Sequence, residues 1–142
     1  MTTVDHFFDM TTAPMRIGAV RLKVRDLDAV STFYQMALGL SPVATSEHRV
    51  TLGTGDTPFL ELQGDPGLSP LDPRQAGLFH TAFLMPTRSD LARWVAHIAE
   101  ADVPLHGASD HIVSEAIYLA DPEGNGIEVY ADRPRATWRT VG

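Results

Sequence analysis

The chain has 142 residues, 44% of them hydrophobic, which suffices for one domain with a substantial core and is too short for two conventional ones. Eleven Lys and Arg against eighteen Asp and Glu give a formal net charge of −7 with no basic run, which excludes a nucleic-acid or anionic-membrane surface and leaves small molecules or proteins as partners. No cysteine is present, so disulfides, thiolate ligands and thiol nucleophiles are excluded, and any metal must be held by His, Asp or Glu.

Met1 to Pro14 contains Asp5 and Asp9 and no long apolar core, unlike a secretory signal or membrane anchor, so a soluble, cytoplasmic protein is expected. Residues 17–38 read as strand, turn and helix. Val20, Leu22 and Val24 alternate, Asp26 and Asp28 offer helix starts, Val30, Phe33, Tyr34 and Ala37 take helical spacing, and Gly39 stops the helix. Residues 80–101 repeat the pattern. Thr81, Phe83 and Met85 alternate, Ser89 or Asp90 can cap, and Leu91, Trp94, Val95 and Ile98 take the same helical spacing. Under a constant shift of 61, Leu22 falls on Phe83, Val24 on Met85, Val30 on Leu91 and Phe33 on Trp94. Val50, Leu52 and Glu61 fall on Ile117, Leu119 and Glu128 at a shift of 67, which requires six extra residues around Asp102 to His111.

Ile117 to Ala120 and Ile127 to Tyr130 are strands flanking the turn Asp121-Pro-Glu-Gly-Asn-Gly126. Alternation sends Ile117, Leu119, Ile127 and Val129 to one side of the sheet and Tyr118, Glu128 and Tyr130 to the other. The expected fold class is α+β: two tandem βαβββ modules form a curved, partly open mixed sheet with helices on its outer face. Module one spans about 15–64, a Pro- and Gly-rich linker 65–77, module two 78–132 and a tail 133–142.

If Val20, Leu22 and Val24 pack under the first helix, Ala19, Arg21 and Lys23 face the space around which the sheet curves. The two repeats then offer four cleft positions, Ala19 and Glu61 from the first and His80 and Glu128 from the second. One imidazole and two carboxylates suit a divalent ion: Fe²⁺ or Mn²⁺, with Zn²⁺ or Ni²⁺ as alternatives. Ala19 has no donor atom.

These segments resemble the vicinal oxygen chelate superfamily, which includes glyoxalase I, extradiol dioxygenases, fosfomycin-resistance enzymes and bleomycin-binding proteins. Val20-Arg-Leu-Lys-Val-Arg-Asp-Leu, Phe33-Tyr34 and Leu38-Gly-Leu40 resemble the first module, and Gly77-Leu-Phe-His80-Thr-Ala-Phe the second. His111, Ile117, Tyr118, Asp121, Pro122, Gly124 and Glu128 follow the catechol 2,3-dioxygenase-like signature, from which Ser109 departs. The resemblance implies His80 and Glu128 as metal ligands, with Tyr118 and His111 orienting a bound diol and dioxygen or moving a proton. It implies a third ligand at position 19, which Ala19 cannot supply, and glyoxalase-like members point to Glu61 as its replacement.

Three functions follow. The first is a divalent-metal enzyme acting on a vicinal-oxygen substrate, extradiol-dioxygenase-like with an altered metal site, in which Arg21 and Lys23 bind an anionic or aromatic substrate. The second is a glyoxalase-like lyase or isomerase. The third is a metal-free, bleomycin-resistance-like binding protein, in which Arg21 pairs with Glu61 or Glu128 in place of a cation. The resemblance also implies a homodimer. His48 and His97 read as structural, Trp94 as helix core, Trp138 as a contact to a neighbouring subunit, and His6 as a substitute ligand.

Overall fold

A computed structural model describes residues 17–72 and 74–138. His6 and the segment Met1 to Pro14 lie outside these residues, as do Pro73 of the linker and residues 139–142 of the tail. The elements run β1 (Val20–Val24), α1 (Leu27–Leu38), β2 (Ser41–Ser46), β3 (Arg49–Thr54), β4 (Thr57–Gly64), β5 (Thr81–Leu84), α2 (Arg88–Glu100), β6 (Gly107–Asp110), β7 (Ser114–Ala120) and β8 (Gly126–Asp132), and then a 3-10 turn, Arg135–Thr137. They form two four-stranded mixed sheets, ordered β1-β4-β3-β2 and β5-β8-β7-β6. In each, the first strand pairs parallel to the last and the remaining pairs are antiparallel.

Local chemistry sets these boundaries. Asp26 caps α1 by accepting from the amide of Ala29, and Gly39 ends it at φ 67°, a left-handed conformation that glycine adopts without steric penalty. The cap of α2 is Thr87, two or three residues before the expected Ser89 or Asp90. Its extended backbone lets its hydroxyl accept from the amide of Asp90, while that hydroxyl donates to the Asp90 carboxylate at 2.6 Å. The apolar alternation of the strands and the helical stripes meet in one core that draws on both modules, including Leu52, Leu60, Leu62, Ile98, Ile127 and Val129.

Registry locates the six additional residues. Thr45 pairs with Val50 in the first sheet, and Ala108 with Ile117 in the second, so the shift is 63 at β6 and 67 at β7. Two residues are therefore added before β6 and four between β6 and β7.

Polar contacts tie the modules at their helices and turns. The Trp94 indole, buried in the core as its spacing predicts, donates to the Ala37 carbonyl at 2.7 Å, and His97 Nε2 lies 2.8 Å from the Met36 carbonyl. The Glu123 carboxylate, from the β7–β8 turn, accepts from the amides of Arg25 at 2.8 Å and Asp26 at 2.7 Å, at the start of α1. Tyr34 is fully buried between the halves, and burial, with the nearby Asp121 carboxylate, pushes its phenol well above its ordinary range. No helix among the described residues is long and apolar enough to cross a membrane.

Candidate active site

The site begins with strand alternation. Ile127 and Val129 are fully buried, which turns Glu128 to the opposite face of β8, and the β7–β8 register sets Tyr118 directly across from it. The parallel β5–β8 register sets Ala82 across from Glu128 on the other side, so His80, two residues earlier, shares that face. Gly126 permits the close approach of the chain entering β5: a Cβ there would stand 2.2 Å from the Phe79 carbonyl oxygen and 3.2 Å from the Cβ of His80.

Four side chains join in one line. His80 Nε2 lies 2.7 Å from Glu128 Oε2, the Tyr118 hydroxyl donates to Glu128 Oε1 at 3.1 Å, and His111 Nε2 lies 2.8 Å from the Tyr118 oxygen. Because the Tyr118 proton is directed to Glu128, the tautomer consistent with the network has His111 donating from Nε2. Burial, reinforced by the hydrogen bond to Glu128, raises the Tyr118 phenol above its ordinary range and keeps it a neutral donor at physiological pH. The Glu128 side chain is 13% exposed and that of His80 27%, while His111 is exposed at the outer end of the line. The inner end is sheltered and the outer end is open to solvent.

Glu61 stands apart from this line. It lies across from Arg21 on β1 and Thr51 on β3; its Oε1 is 2.5 Å from Arg21 Nε and 3.3 Å from Arg49 Nε, and its Oε2 accepts from Arg21 Nη2 at 3.3 Å. Lys23 is exposed two residues along the same face of β1. Among the described residues no group of three or more His, Asp or Glu side chains converges to hold a metal ion. The expected set of Glu61, His80 and Glu128 is therefore divided: His80 and Glu128 touch, Glu61 is neutralised by guanidinium groups, and Ala19 has no donor. The described residues fit two ligand positions of a divalent ion and do not complete a three-ligand centre.

A cavity of about 570 Å³ opens beside His80 along the seam between β1 and β5, lined mainly by Phe59, Leu78, Phe83, Leu84 and Tyr130. Its volume and apolar walls match those of small-molecule sites. A second hollow of about 470 Å³ lies between α2 and β6–β7, lined by Leu91, Ala92, Val95 and Ile117, with the Arg88–Glu115 pair at its polar side.

Some of the signature residues have structural roles. Asp121 is buried and accepts from the amides of Glu123 and Asn125 and from the Asn125 side chain, which closes the turn; burial raises its carboxyl despite these bonds. Sequence reasoning missed Arg49, Glu123 and Arg133. Projecting the β3 alternation would have found Arg49 on the Glu61 face, whereas Glu123 and Arg133 act across distances that no local periodicity encodes. Trp138 donates to the Arg133 carbonyl at 2.9 Å and stacks under Arg135.

Comparison with known proteins agrees with this architecture. The family model for the glyoxalase/bleomycin resistance protein/dioxygenase superfamily matches residues 16–129. The chain is 39% identical to the catechol-2,3-dioxygenase of Bacillus subtilis (strain 168) over 125 residues, covering 87% of this chain and 44% of that protein. It is 30% identical to biphenyl-2,3-diol 1,2-dioxygenase 3 of Rhodococcus globerulus, covering 87% of this chain and 66% of the relative. The chain thus spans less than two thirds of either relative. A glyoxalase/dioxygenase structure from Nostoc punctiforme superposes with TM-score 0.71 at 26% identity, covering 86% of this chain and 96% of that one. Lactoylglutathione lyase from Agrobacterium tumefaciens superposes with TM-score 0.67 at 24% identity, covering 83% and 94%, a likeness of fold.

Proposed function

This chain belongs to the glyoxalase/bleomycin resistance protein/dioxygenase superfamily, and from that membership we propose that it acts on a small aromatic vicinal diol bearing a negative charge. The observation that carries the reading is the line His80–Glu128–Tyr118–His111, whose His80 end borders an apolar cavity of about 570 Å³. The aromatic walls hold the ring, and His80 at the cavity edge meets the diol oxygens. Glu128 orients His80 and balances the positive charge it acquires when it takes a proton from the diol. When His111 presents an unprotonated Nε2, Tyr118 turns to donate to it while accepting from protonated Glu128, so a proton released at the sheltered pair is carried through two hydrogen bonds to the exposed His111. Lys23, exposed on β1, supplies positive charge for the anionic group of the substrate, while the Arg21 guanidinium is taken up by Glu61.

Similarity to two proteins named as dioxygenases of diols favours ring cleavage as the reaction class over lyase or isomerase chemistry. The lyase reading also loses its distinguishing donor, since Glu61 is occupied by Arg21 and Arg49. A second reading, a metal-free binding protein, draws support from Ala19 and from that same occupied Glu61. Exposed Ile17, Leu78, Phe79 and Leu84 form an apolar surface that suits pairing with a second copy in a homodimer. The deciding experiment is to mix the protein with 3,4-dihydroxybenzoate in air, before and after Fe²⁺ or Mn²⁺ loading, and to follow both binding and the absorbance of ring-opened product. Binding with turnover supports the enzyme, binding without turnover under every loading supports the binding protein, and no binding overturns both.

A further inference from the structure

We propose that Arg133 is a positioning residue that holds His111 over Tyr118, an inference that rests on the reading of His111 as the outer end of the proton path. In module one the strands equivalent to β6 and β7 are joined tightly, with Ser46 paired to Arg49 across two intervening residues. In module two the pair Asp110–Glu115 brackets the longer connection His111-Ile112-Val113-Ser114. His111 therefore sits on backbone that has no counterpart in the first module.

That backbone is in an unfavourable conformation. Ile112 has φ 71°, a left-handed position that a β-branched residue rarely adopts and that must be held by its surroundings. Ile112 is also largely exposed, so apolar packing does not hold it. Hydrogen bonds do, and most of them come from Arg133. Its Nη2 donates to Asp110 Oδ2 at 2.8 Å and to Glu115 Oε1 at 3.0 Å, its Nη1 donates to the Ile112 carbonyl at 3.3 Å, and its own amide donates to the Val113 carbonyl at 2.8 Å. Asp110 Oδ1 in turn accepts from the Ile112 amide at 2.8 Å, and the His111 amide donates to the Ser114 carbonyl at 2.9 Å.

One guanidinium thus spans the residues before and after the connection and one carbonyl within it. Such a three-acceptor grip needs the planar, forked donor set of arginine, which a lysine ammonium cannot reproduce. Arg133 is itself held from behind. Glu115 is also bound by Arg88, with Nε at 2.5 Å from Oε2, and Trp138 donates to the Arg133 carbonyl. The His111 ring makes its hydrogen bond to Tyr118 from this connection, so loosening the connection displaces the ring without touching Tyr118, Glu128 or His80.

The test compares Arg133→Gln, Arg133→Lys and Asp110→Asn with the wild-type chain. Three quantities are read: the imidazole ¹⁵N shifts of His111, which report its bond to Tyr118, the kcat and KM for diol turnover, and the thermal midpoint. Arg133→Gln is expected to lose the His111–Tyr118 signature and to lower kcat by roughly 10- to 100-fold at nearly unchanged KM, the scale of a misplaced catalytic group. Arg133→Lys should fall between the two. If Arg133→Gln does not fold, Asp110→Asn, which weakens one arm of the grip, carries the test and should show the same changes in smaller degree. A His111 signature unchanged in the folded variants overturns the proposal, as does a kcat loss accounted for by unfolded protein. If the wild-type chain turns over no diol, the catalytic reading fails, and the ¹⁵N shifts still decide whether Arg133 positions the ring.

Discussion

The two modules share one plan and differ at one face. Each packs a capped helix against the apolar side of a mixed four-stranded sheet, and each sets a glutamate on the other side of its last strand. In the first module the half-buried Glu61 meets the exposed Arg21 and Arg49, forming a self-neutralised ionic cluster. In the second, Glu128 meets an imidazole and a phenol, and the four residues added between β6 and β7 bring a second imidazole to that phenol. A half-site can thus acquire or lose acid–base chemistry without any change to the core. Guanidinium groups do not give up protons near neutrality, whereas imidazole and a hydrogen-bonded phenol can relay them.

Removing one link from the second module should have the largest effect. Tyr118→Phe, which interrupts the line and keeps the ring, should reduce diol turnover by about 10²- to 10⁴-fold while changing diol affinity only a few-fold, as steady-state kinetics and calorimetry can check. Glu123→Ala removes the carboxylate that joins the β7–β8 turn to the start of α1, and chemical denaturation should show a loss of about 1–3 kcal/mol from the unpaired amides. The corresponding turn of module one carries Asp56, which is exposed and for which no cross-module contact is seen among the described residues, so Asp56→Ala should stay within about 0.5 kcal/mol. Ala19→His supplies the donor that position 19 lacks. It should raise Fe²⁺ or Mn²⁺ affinity at least about tenfold, measurable by competition with a chelator, and no gain would show that the segment entering β1 does not face His80 and Glu128.

Acid should act first on the loop that distinguishes the second module. The Asp110 carboxyl is held below its ordinary range by the Ile112 amide and then by Arg133, and that of Glu115 by Arg88 and then by Arg133. Carboxylates depressed on folding contribute stability that is fully present above their unfolded range, near pH 4, and is lost as pH falls below it. The protection of the Ile112 and Arg133 amides against hydrogen exchange, corrected for the intrinsic rate at each pH, should therefore fall on acidification to about pH 3 before that of the Leu52–Leu60 core does. Simultaneous loosening of both would contradict the account.

Much of this architecture was legible in the chain. Alternation in Val20–Val24 and around Ile127 and Val129, together with the helical spacing of Leu91, Trp94 and Ile98, is a local physical signal, and its repetition at shifts of 61 and 67 disclosed the duplication. The facing of Tyr118 and Glu128 followed from strand period and register. What was not legible depends on side chains meeting across strands. The Arg21–Glu61 pair was legible as one alternative and the facing of Arg49 follows from strand alternation, but whether Arg21 takes Glu61 or Glu128 is decided by cross-strand register, and the clamp of Arg133 joins three separate stretches. The position of the added residues was also beyond periodicity, because two precede β6 and four follow it, and only registry separates them.

The central claim is that the acid–base groups of the site lie on the second module and that Glu61 of the first takes no part. Calorimetric titration of 3,4-dihydroxybenzoate into the wild-type chain, Glu128→Gln and Glu61→Gln tests it most directly. Glu128→Gln should weaken binding at least tenfold, the cost of about 1.4 kcal/mol for one lost charged partner, while Glu61→Gln should bind within about threefold of wild type. Equal losses in both variants, or the larger loss in Glu61→Gln, would contradict the account.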